Sequence, residues 1–189
     1  MRETENQPQI LLCELAAYLH NKDMEINVWD RIIAFEGRMH EFIKAAYDYQ
    51  DNTFHSHPGY YIDYFEMRLA QLQVLHNLHY EIKKIRKMPK QALVIADYIM
   101  YMADYVVEMN IPDQQIEKLE EISEQMKQEE LPKTREEFEG RALLYHILMD
   151  LEEFLVYKKR FVNGLDEKKL RIYWKQEMEQ KDSANELQK

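Results

Sequence analysis

Histidines and carboxylates, which are common metal ligands in proteins, occur close together at two places in the sequence. His55 and His57 are one residue apart in a polar segment, so both could face the same side of an extended loop. Zinc sites generally have at least three protein ligands, and this pair has no third partner. Glu36 and His40 are four residues apart, and they also lack further ligands. We therefore predict no metal ion and no other cofactor.

The segment 131–148, LPKTREEFEGRALLYHIL, joins glutamates and a histidine to a long apolar stretch. A carboxylate-bridged metal pair in a helical bundle needs two Glu-x-x-His pairs and further glutamates on facing helices. His146 instead has Leu143 three positions before it, where the ligand glutamate would stand. Thr134 and Glu137 have the spacing of a capping box, in which each side chain accepts a hydrogen bond from the other residue's backbone N–H. The segment therefore predicts the start of a helix.

Tyrosine is abundant, with thirteen in the chain, and one group opens a predicted helix at residues 60–64. A second group forms a stripe on the next predicted helix: Tyr98, Tyr101 and Tyr105. Because tyrosine joins an apolar ring to a polar hydroxyl, such a stripe could line a pocket for an aromatic acid. Arg68 or Arg141 would then meet the carboxylate. The alternative is that both groups are edges of the core.

Charge is distributed unevenly around a formal net value of −10. Residues 113–153 contain thirteen acidic and five basic side chains, whereas KKIRKMPK (83–90) contains five basic and no acidic ones. The members of this basic cluster are Lys83, Lys84, Arg86, Lys87 and Lys90. The negative total argues against nucleic-acid binding. The cluster could contact an inner leaflet, with about 1 kcal/mol of attraction to anionic lipid per basic residue, or it could be a solvated helix end.

Motifs that carry catalysis are not found. We see no nucleophile–base pairing, glycine-rich phosphate loop or cysteine–histidine zinc pattern, and we predict that the chain is not an enzyme. Cys13 is the single cysteine and lies among leucines, which predicts a core position and a reducing cytosolic setting. The longest apolar runs have about five residues, against roughly 18 for a bilayer span, so we predict that this chain does not cross a membrane.

Helices must position these residues, because apolar side chains recur at three- and four-residue steps almost throughout. Four glycines and five prolines also leave little turn material for a β-rich fold. We predict an all-α bundle of about seven helices, with long antiparallel members, as one domain over residues 1–180 and a disordered polar tail over 181–189. The predicted helices cover about 8–21, 28–49, 60–88, 90–109, 116–126, 135–163 and a stretch from 166.

Four features mark the predicted helix boundaries. Pro8 suits a first turn, where its missing N–H has no partner to lose. Pro89 separates the third helix from the fourth, because the residue before proline avoids helical geometry. Gly164 suits the left-handed residue that closes many helices. The preceding basic residues 158–160 would complement the negative end of the helix dipole.

Three segments carry a resemblance to a known family. They are LPKTREEFEGRALLYHILMDLEEFLVYKKRF (131–161), YYIDYFEMRLAQLQVLHNL (60–78) and, more weakly, LLCELAAYLHNKDMEI (11–26). They occur in the same order over most of the chain. On these residues the sequence resembles the cytoplasmic C-terminal domain of the bacterial putative aromatic acid exporter family.

The resemblance implies a membrane-spanning helical half that precedes a helical cytosolic domain, of which this chain would be the second. The implied partners are that membrane half and further copies of the chain, at the cytoplasmic face of the cell membrane. No catalytic or ligand residue is carried over from the family. We therefore expect an assembly or regulatory role in transport without catalysis. The alternatives are a soluble helical sensor of aromatic acids and, more remotely, an unrecognised hydrolase or metalloenzyme.

Overall fold

The computed structural model describes residues 2–20, 28–52 and 58–174, and every regular element within these ranges is a helix. Six helices have at least twelve residues and the seventh has seven. They are α1 (Arg2–His20), α2 (Val28–Asn52), α3 (Pro58–Lys84), α4 (Ala92–Ala103), α5 (Asp113–Lys127), α6 (Arg135–Asn163) and α7 (Glu167–Tyr173). The predicted all-α fold is confirmed. The predicted tail over 181–189 lies outside the described residues.

The helix α3 lies between α2 on one side and α6 on the other, and it also contacts α1. The rings of Phe42 and Phe65 meet near one end of the α2–α3 pair, and those of Trp29 and His76 meet near the other, so the two helices are antiparallel. The same holds for α1 and α4. Glu5 accepts from the backbone of residue 108, beyond the end of α4, whereas His20 pairs with Asp97 in the first half of α4.

The core runs along the whole bundle because each long helix turns an apolar face inward. Its members come from all six long helices, and α4 is the most apolar of them. A second, aromatic cluster closes the end where α3 begins and α6 ends, and it contains Tyr60, Tyr64, Met67, Phe161, Leu165 and Trp174. Cys13 is half-buried and packs against the main core, as predicted.

The beginning of α1 differs from the prediction. The helix starts at Arg2, six residues before Pro8, so Pro8 lies inside it rather than in its first turn. Residues 2–7 are polar and show no apolar periodicity, which is why the sequence pattern missed them. Thr4 is nevertheless completely buried, and it hydrogen-bonds the hydroxyl of Tyr64. Tertiary contact therefore extends the helix past the proline.

The turns on either side of α4 are longer than predicted. The helix α3 ends at Lys84, four residues early, and α4 runs from Ala92 to Ala103 instead of from 90 to 109. After Ala103 the chain leaves helical geometry. This releases the backbone N–H of Glu108 to donate to Glu5 Oε1, at 2.6 Å, and its carbonyl to accept from Lys158 Nζ.

The ends of α6 confirm one prediction and correct three. Thr134 Oγ1 accepts from the backbone N–H of Glu137 at 3.1 Å, so the predicted cap is present. The Glu137 carboxylate accepts in return from the N–H of Lys133, one residue before the expected donor. Gly164 has φ −80°, so the left-handed prediction is wrong, and its N–H continues right-handed bonding to the last turn of α6. Lys158 turns into the core rather than toward the solvated helix end.

Candidate functional site

Arg68 is the most completely buried charged side chain in the described chain, with 1% of its surface exposed. Its Nε donates to the hydroxyl of Tyr64 at 3.0 Å, and its Nη1 donates to Gln71 Oε1 at 2.8 Å. The guanidinium also lies 5.1 Å from the centroid of the Tyr64 ring. Nη2 is buried and has no hydrogen-bond partner among the described residues, and none of their carboxylates lies within ion-pair distance of Arg68.

A second buried cation, Lys158 of α6, lies close to Arg68. It is 4% exposed, and its Nζ donates to the backbone carbonyl of Glu108. The same Nζ lies 5.9 Å from the ring centroid of Tyr64 and 5.4 Å from that of Trp174. The Tyr64 ring is therefore in contact with both cations, and its aromatic face offsets part of the energetic cost of burying them.

A cavity of about 10 Å³ lies between α3, α6 and the turn that joins α4 to α5. Arg68 and Lys158 line it, together with the amide side chains of Gln71, Asn110 and Gln115 and with apolar groups from α4 and α6. No aspartate or glutamate is among the lining residues. A cavity of this size holds about one water-sized molecule.

Gln115 connects the predicted tyrosine stripe to this cavity. Its backbone carbonyl accepts from the hydroxyl of Tyr98 at 2.7 Å, and its Nε2 donates to the hydroxyl of Tyr101 at 3.3 Å. Tyr98 is buried, and this burial raises its pKa. Tyr105 is exposed and lines the cavity itself. Arg68 and Tyr105 therefore line the same cavity. Tyr98 and Tyr101 do not line it, but they hydrogen-bond Gln115, which does.

Arg141, the other arginine considered for a ligand carboxylate, lies near the opposite end of the bundle. Its Nη2 is 2.6 Å from Glu137 Oε1, and its Nη1 donates to the backbone carbonyl of Glu130 at 2.5 Å. The backbone N–H of Lys133 and the guanidinium of Arg141 both lower the pKa of Glu137. Arg141 therefore links the start of α6 to the preceding loop. It does not line the Arg68 cavity.

The tyrosines that open α3 belong to the aromatic end cluster. The rings of Tyr60 and Tyr173 stack with centroids 3.9 Å apart. The Tyr60 hydroxyl donates to Glu108 Oε1 at 2.6 Å and accepts from Trp174 Nε1 at 3.0 Å. Burial, followed by the bond to Glu108, raises the pKa of Tyr60. Tyr60 and Tyr64 are completely buried, so for them the core-edge interpretation is confirmed.

The basic cluster lies at the end of the bundle opposite the start of α1, and all five of its side chains are exposed. Lys84 Nζ is 2.8 Å from Glu81 Oε1, and Lys90 Nζ is 3.5 Å from Glu129 Oε2. The acidic end of α5 thus lies beside the basic turn. The uneven charge pattern of the sequence is therefore partly explained by pairing within the molecule.

An open groove of about 500 Å³ adjoins the basic cluster, and sequence reasoning did not find it. It is lined by Trp29, His76, Asn77, His79, Tyr80 and Lys83. The ring centroids of Trp29 and His76 are 4.6 Å apart, and burial lowers the pKa of His79. Antiparallel packing of α2 on α3 would have predicted it, because this packing places Trp29, in the first turn of α2, beside the last turns of α3.

Metal ligands do not converge in the described part of the chain. No group of three or more histidine, cysteine, aspartate or glutamate side chains there could hold an ion. His55 and His57 lie outside the described residues. In those same ranges, no helix combines the length and the apolar character needed to span a bilayer.

The fold and the site together define an all-α domain with buried cations at one end of the bundle. The family model described as "Putative aromatic acid exporter C-terminal domain" matches residues 1–159, and the chain belongs to this family. The predicted resemblance is confirmed.

Two relatives extend this comparison. The "Uncharacterized protein YqjA" of Bacillus subtilis (strain 168) is 32% identical over 98 residues, which are 52% of this chain and 30% of that protein. The match therefore spans less than a third of the relative's length. A crystal structure described as a "putative membrane protein from Clostridium difficile 630" has a TM-score of 0.76 and 24% identity, and the match covers 85% of this chain and 93% of that one. It has the same fold.

Proposed function

We propose that this chain is the cytosolic domain of an exporter-family membrane protein and that it assists transport by assembling subunits or regulating the membrane-spanning part, without catalysis of its own. The observation that carries the proposal is membership of the exporter C-terminal family over residues 1–159. The chain also matches only 30% of the length of its Bacillus relative, which leaves room for a membrane-spanning part in proteins of this kind.

An exposed apolar face on α6 supports the assembly role. Phe138 is 61% exposed and Met149 is 64% exposed, and Tyr145 lies between them on the same side of the helix. Large apolar side chains aligned on one helix face are typical of surfaces that pack against another chain. We therefore propose that this face contacts a second copy of the chain in the assembled transporter.

The test uses the complete exporter that contains this domain. Phe138→Ser combined with Met149→Ser removes apolar area from the proposed face, and Ile33→Ser, on the exposed side of α2, is the matched control. We expect the double variant to lower both the cross-linked oligomer fraction and aromatic acid export, while its melting temperature and the behaviour of the control stay unchanged. Normal assembly and export by the double variant would contradict the proposal.

The sensor alternative depends on whether the cavity can enlarge. An apolar cavity that binds benzene has about 150 Å³, whereas the Arg68 cavity has about 10 Å³. An aromatic acid therefore enters only if α3 and α6 separate from the turn after α4. Calorimetric titration of the domain with benzoate and phenylacetate tests this alternative, which predicts saturable heat that Arg68→Met abolishes. Absence of heat with either acid would contradict it.

A further inference from the structure

Arg68 carries a buried positive charge that no described carboxylate pairs with directly. It is 1% exposed, its Nη2 has no hydrogen-bond partner among them, and none of their carboxylates forms an ion pair with it. Burying an ion without a counter-charge costs several kcal/mol, and burying an N–H donor without an acceptor adds to that cost. A negatively charged acceptor next to Nη2 would offset both costs.

The cavity beside Arg68 is suited to such an acceptor. Lys158 contributes a second buried cation, and Gln71, Asn110 and Gln115 contribute amide groups. Two nearby acidic side chains have hydrogen-bond partners of their own: Glu108 accepts from Tyr60, and Glu5 accepts from the backbone N–H of residue 108. The lining includes no carboxylate, so the local field favours an anion.

Cavity size selects among the anions. The volume of about 10 Å³ corresponds to one water-sized molecule. A water molecule would satisfy the hydrogen bond of Nη2 but would leave the charge uncompensated. A larger anion such as sulfate or benzoate would have to separate the helices. We propose that the cavity between α3, α6 and the turn after α4 binds one halide-sized monovalent anion, chloride under ordinary conditions, against Arg68 Nη2.

The direct test is diffraction from crystals of the unmodified protein grown in sodium bromide, with data collected at the bromine absorption edge. We expect an anomalous peak within hydrogen-bond distance of Arg68 Nη2, in the cavity shared with Lys158. Bromide peaks at surface sites only, with none in this cavity, would overturn the proposal. This measurement needs no substitution and does not depend on the stability of a variant.

The second test measures binding in solution. The melting temperature of the protein is followed in sodium chloride and in sodium gluconate of equal ionic strength, because gluconate is too large for the cavity. At chloride about ten times its Kd, we expect a saturable rise of about 3 to 6 °C relative to gluconate. Arg68→Met should abolish the chloride-specific rise, whereas Arg135→Met, which removes an exposed arginine, should retain it. An equal chloride response in both variants, or none in the unmodified protein, would overturn the proposal.

Discussion

At the scale of single residues, the type of a side chain could be read from the sequence, but its environment could not. Arg68 follows Tyr64 by four positions on a helix, so their contact is local and predictable. Gln71, which accepts from Arg68, in turn donates to the carbonyl of Phe154, 83 residues away in sequence. Lys158 likewise belongs to a basic triplet and yet is buried. Long-range packing therefore decides which charged residues form a site.

Gly140 shows how closely α6 approaches the turn before α4. A Cβ at this position would lie 2.9 Å from Pro89 Cγ and 3.2 Å from the carbonyl oxygen of Lys87. Gly140→Ala should therefore lower the free energy of unfolding by about 1 to 3 kcal/mol, because a proline ring and a backbone atom cannot move aside easily. Gly37→Ala is the control. Outside its chain neighbours and the backbone of its own helix, no atom lies within 4 Å of the added methyl, and this change should stabilise α2 by about 1 kcal/mol. Urea denaturation measures the free energy of unfolding of both variants. An unchanged value for Gly140→Ala would contradict the close approach of α6 to this turn.

Asp150 should make stability depend on pH. Its partial burial and the neighbouring carboxylates of Glu81 and Glu153 raise its pKa to about 6, against about 3.9 in an unfolded chain. Between about pH 4 and pH 6 the folded state binds more protons than the unfolded state at this site, so this carboxyl makes the protein less stable as the pH rises.

Asp150→Asn should remove that contribution and raise the free energy of unfolding at pH 7 by about 1 kcal/mol, a value reduced for solvent screening because the group is only half-buried. The exposed Glu152→Gln, which removes a carboxyl two positions away on the same helix, is the control. Urea denaturation from pH 4 to pH 7 measures both. An Asp150→Asn profile that follows the unmodified protein would show that the carboxyl titrates normally.

At the scale of helices, the local signals predicted which elements exist better than where they end. Apolar periodicity is a property of neighbouring residues, and it indicated each of the six long helices in the described ranges. The early end of α4 instead depends on bonds from residue 108 to Glu5 and Lys158, which are 103 and 50 positions away in sequence. Such bonds leave no local pattern. The cavity lies beside the turn that they create, so the site was less predictable than the fold.

The Thr134 cap offers a test of a local signal. Thr134→Ala removes the acceptor for the Glu137 N–H, and it should cost about 1 kcal/mol of unfolding free energy. Thr134→Ser keeps the hydroxyl and should retain most of the stability. Chemical denaturation of the two variants gives the comparison. Equal stability of both would mean that solvent satisfies the start of α6 without the side chain.

The docking of α7 depends on Trp174, which follows it directly and is 3% exposed in the aromatic end cluster. Trp174→Ala should lower the free energy of unfolding by about 3 kcal/mol, because it leaves a large cavity and removes the donor to the Tyr60 hydroxyl. Trp174→Phe keeps most of the ring and should cost about 1 kcal/mol. Thermal unfolding distinguishes them. A Trp174→Ala variant as stable as Trp174→Phe would show that the ring contributes little.

At the scale of the whole molecule, α3 lies closer to the centre of the bundle than α2. It packs against α1, α2 and α6, whereas α2 packs against α3 and, to a smaller extent, α1. Amide protons of α3 should therefore exchange by global unfolding, and those of α2 should exchange through smaller openings. Hydrogen exchange followed by mass spectrometry should give slower exchange in residues 62–80 than in residues 32–48. Equal protection of the two segments would contradict this ranking.

The peripheral position of α2 has a consequence for how the protein could respond to its surroundings. The contacts of α3 with α1 and α6, and of α1 with α4, do not involve α2. Local opening of α2 would uncover the α3 face that carries Phe65. At the other end of the pair, it would remove the groove between Trp29 and Tyr80. A partner that binds α2 in such an opened state would therefore change the surface of the molecule without breaking the contacts among the remaining helices.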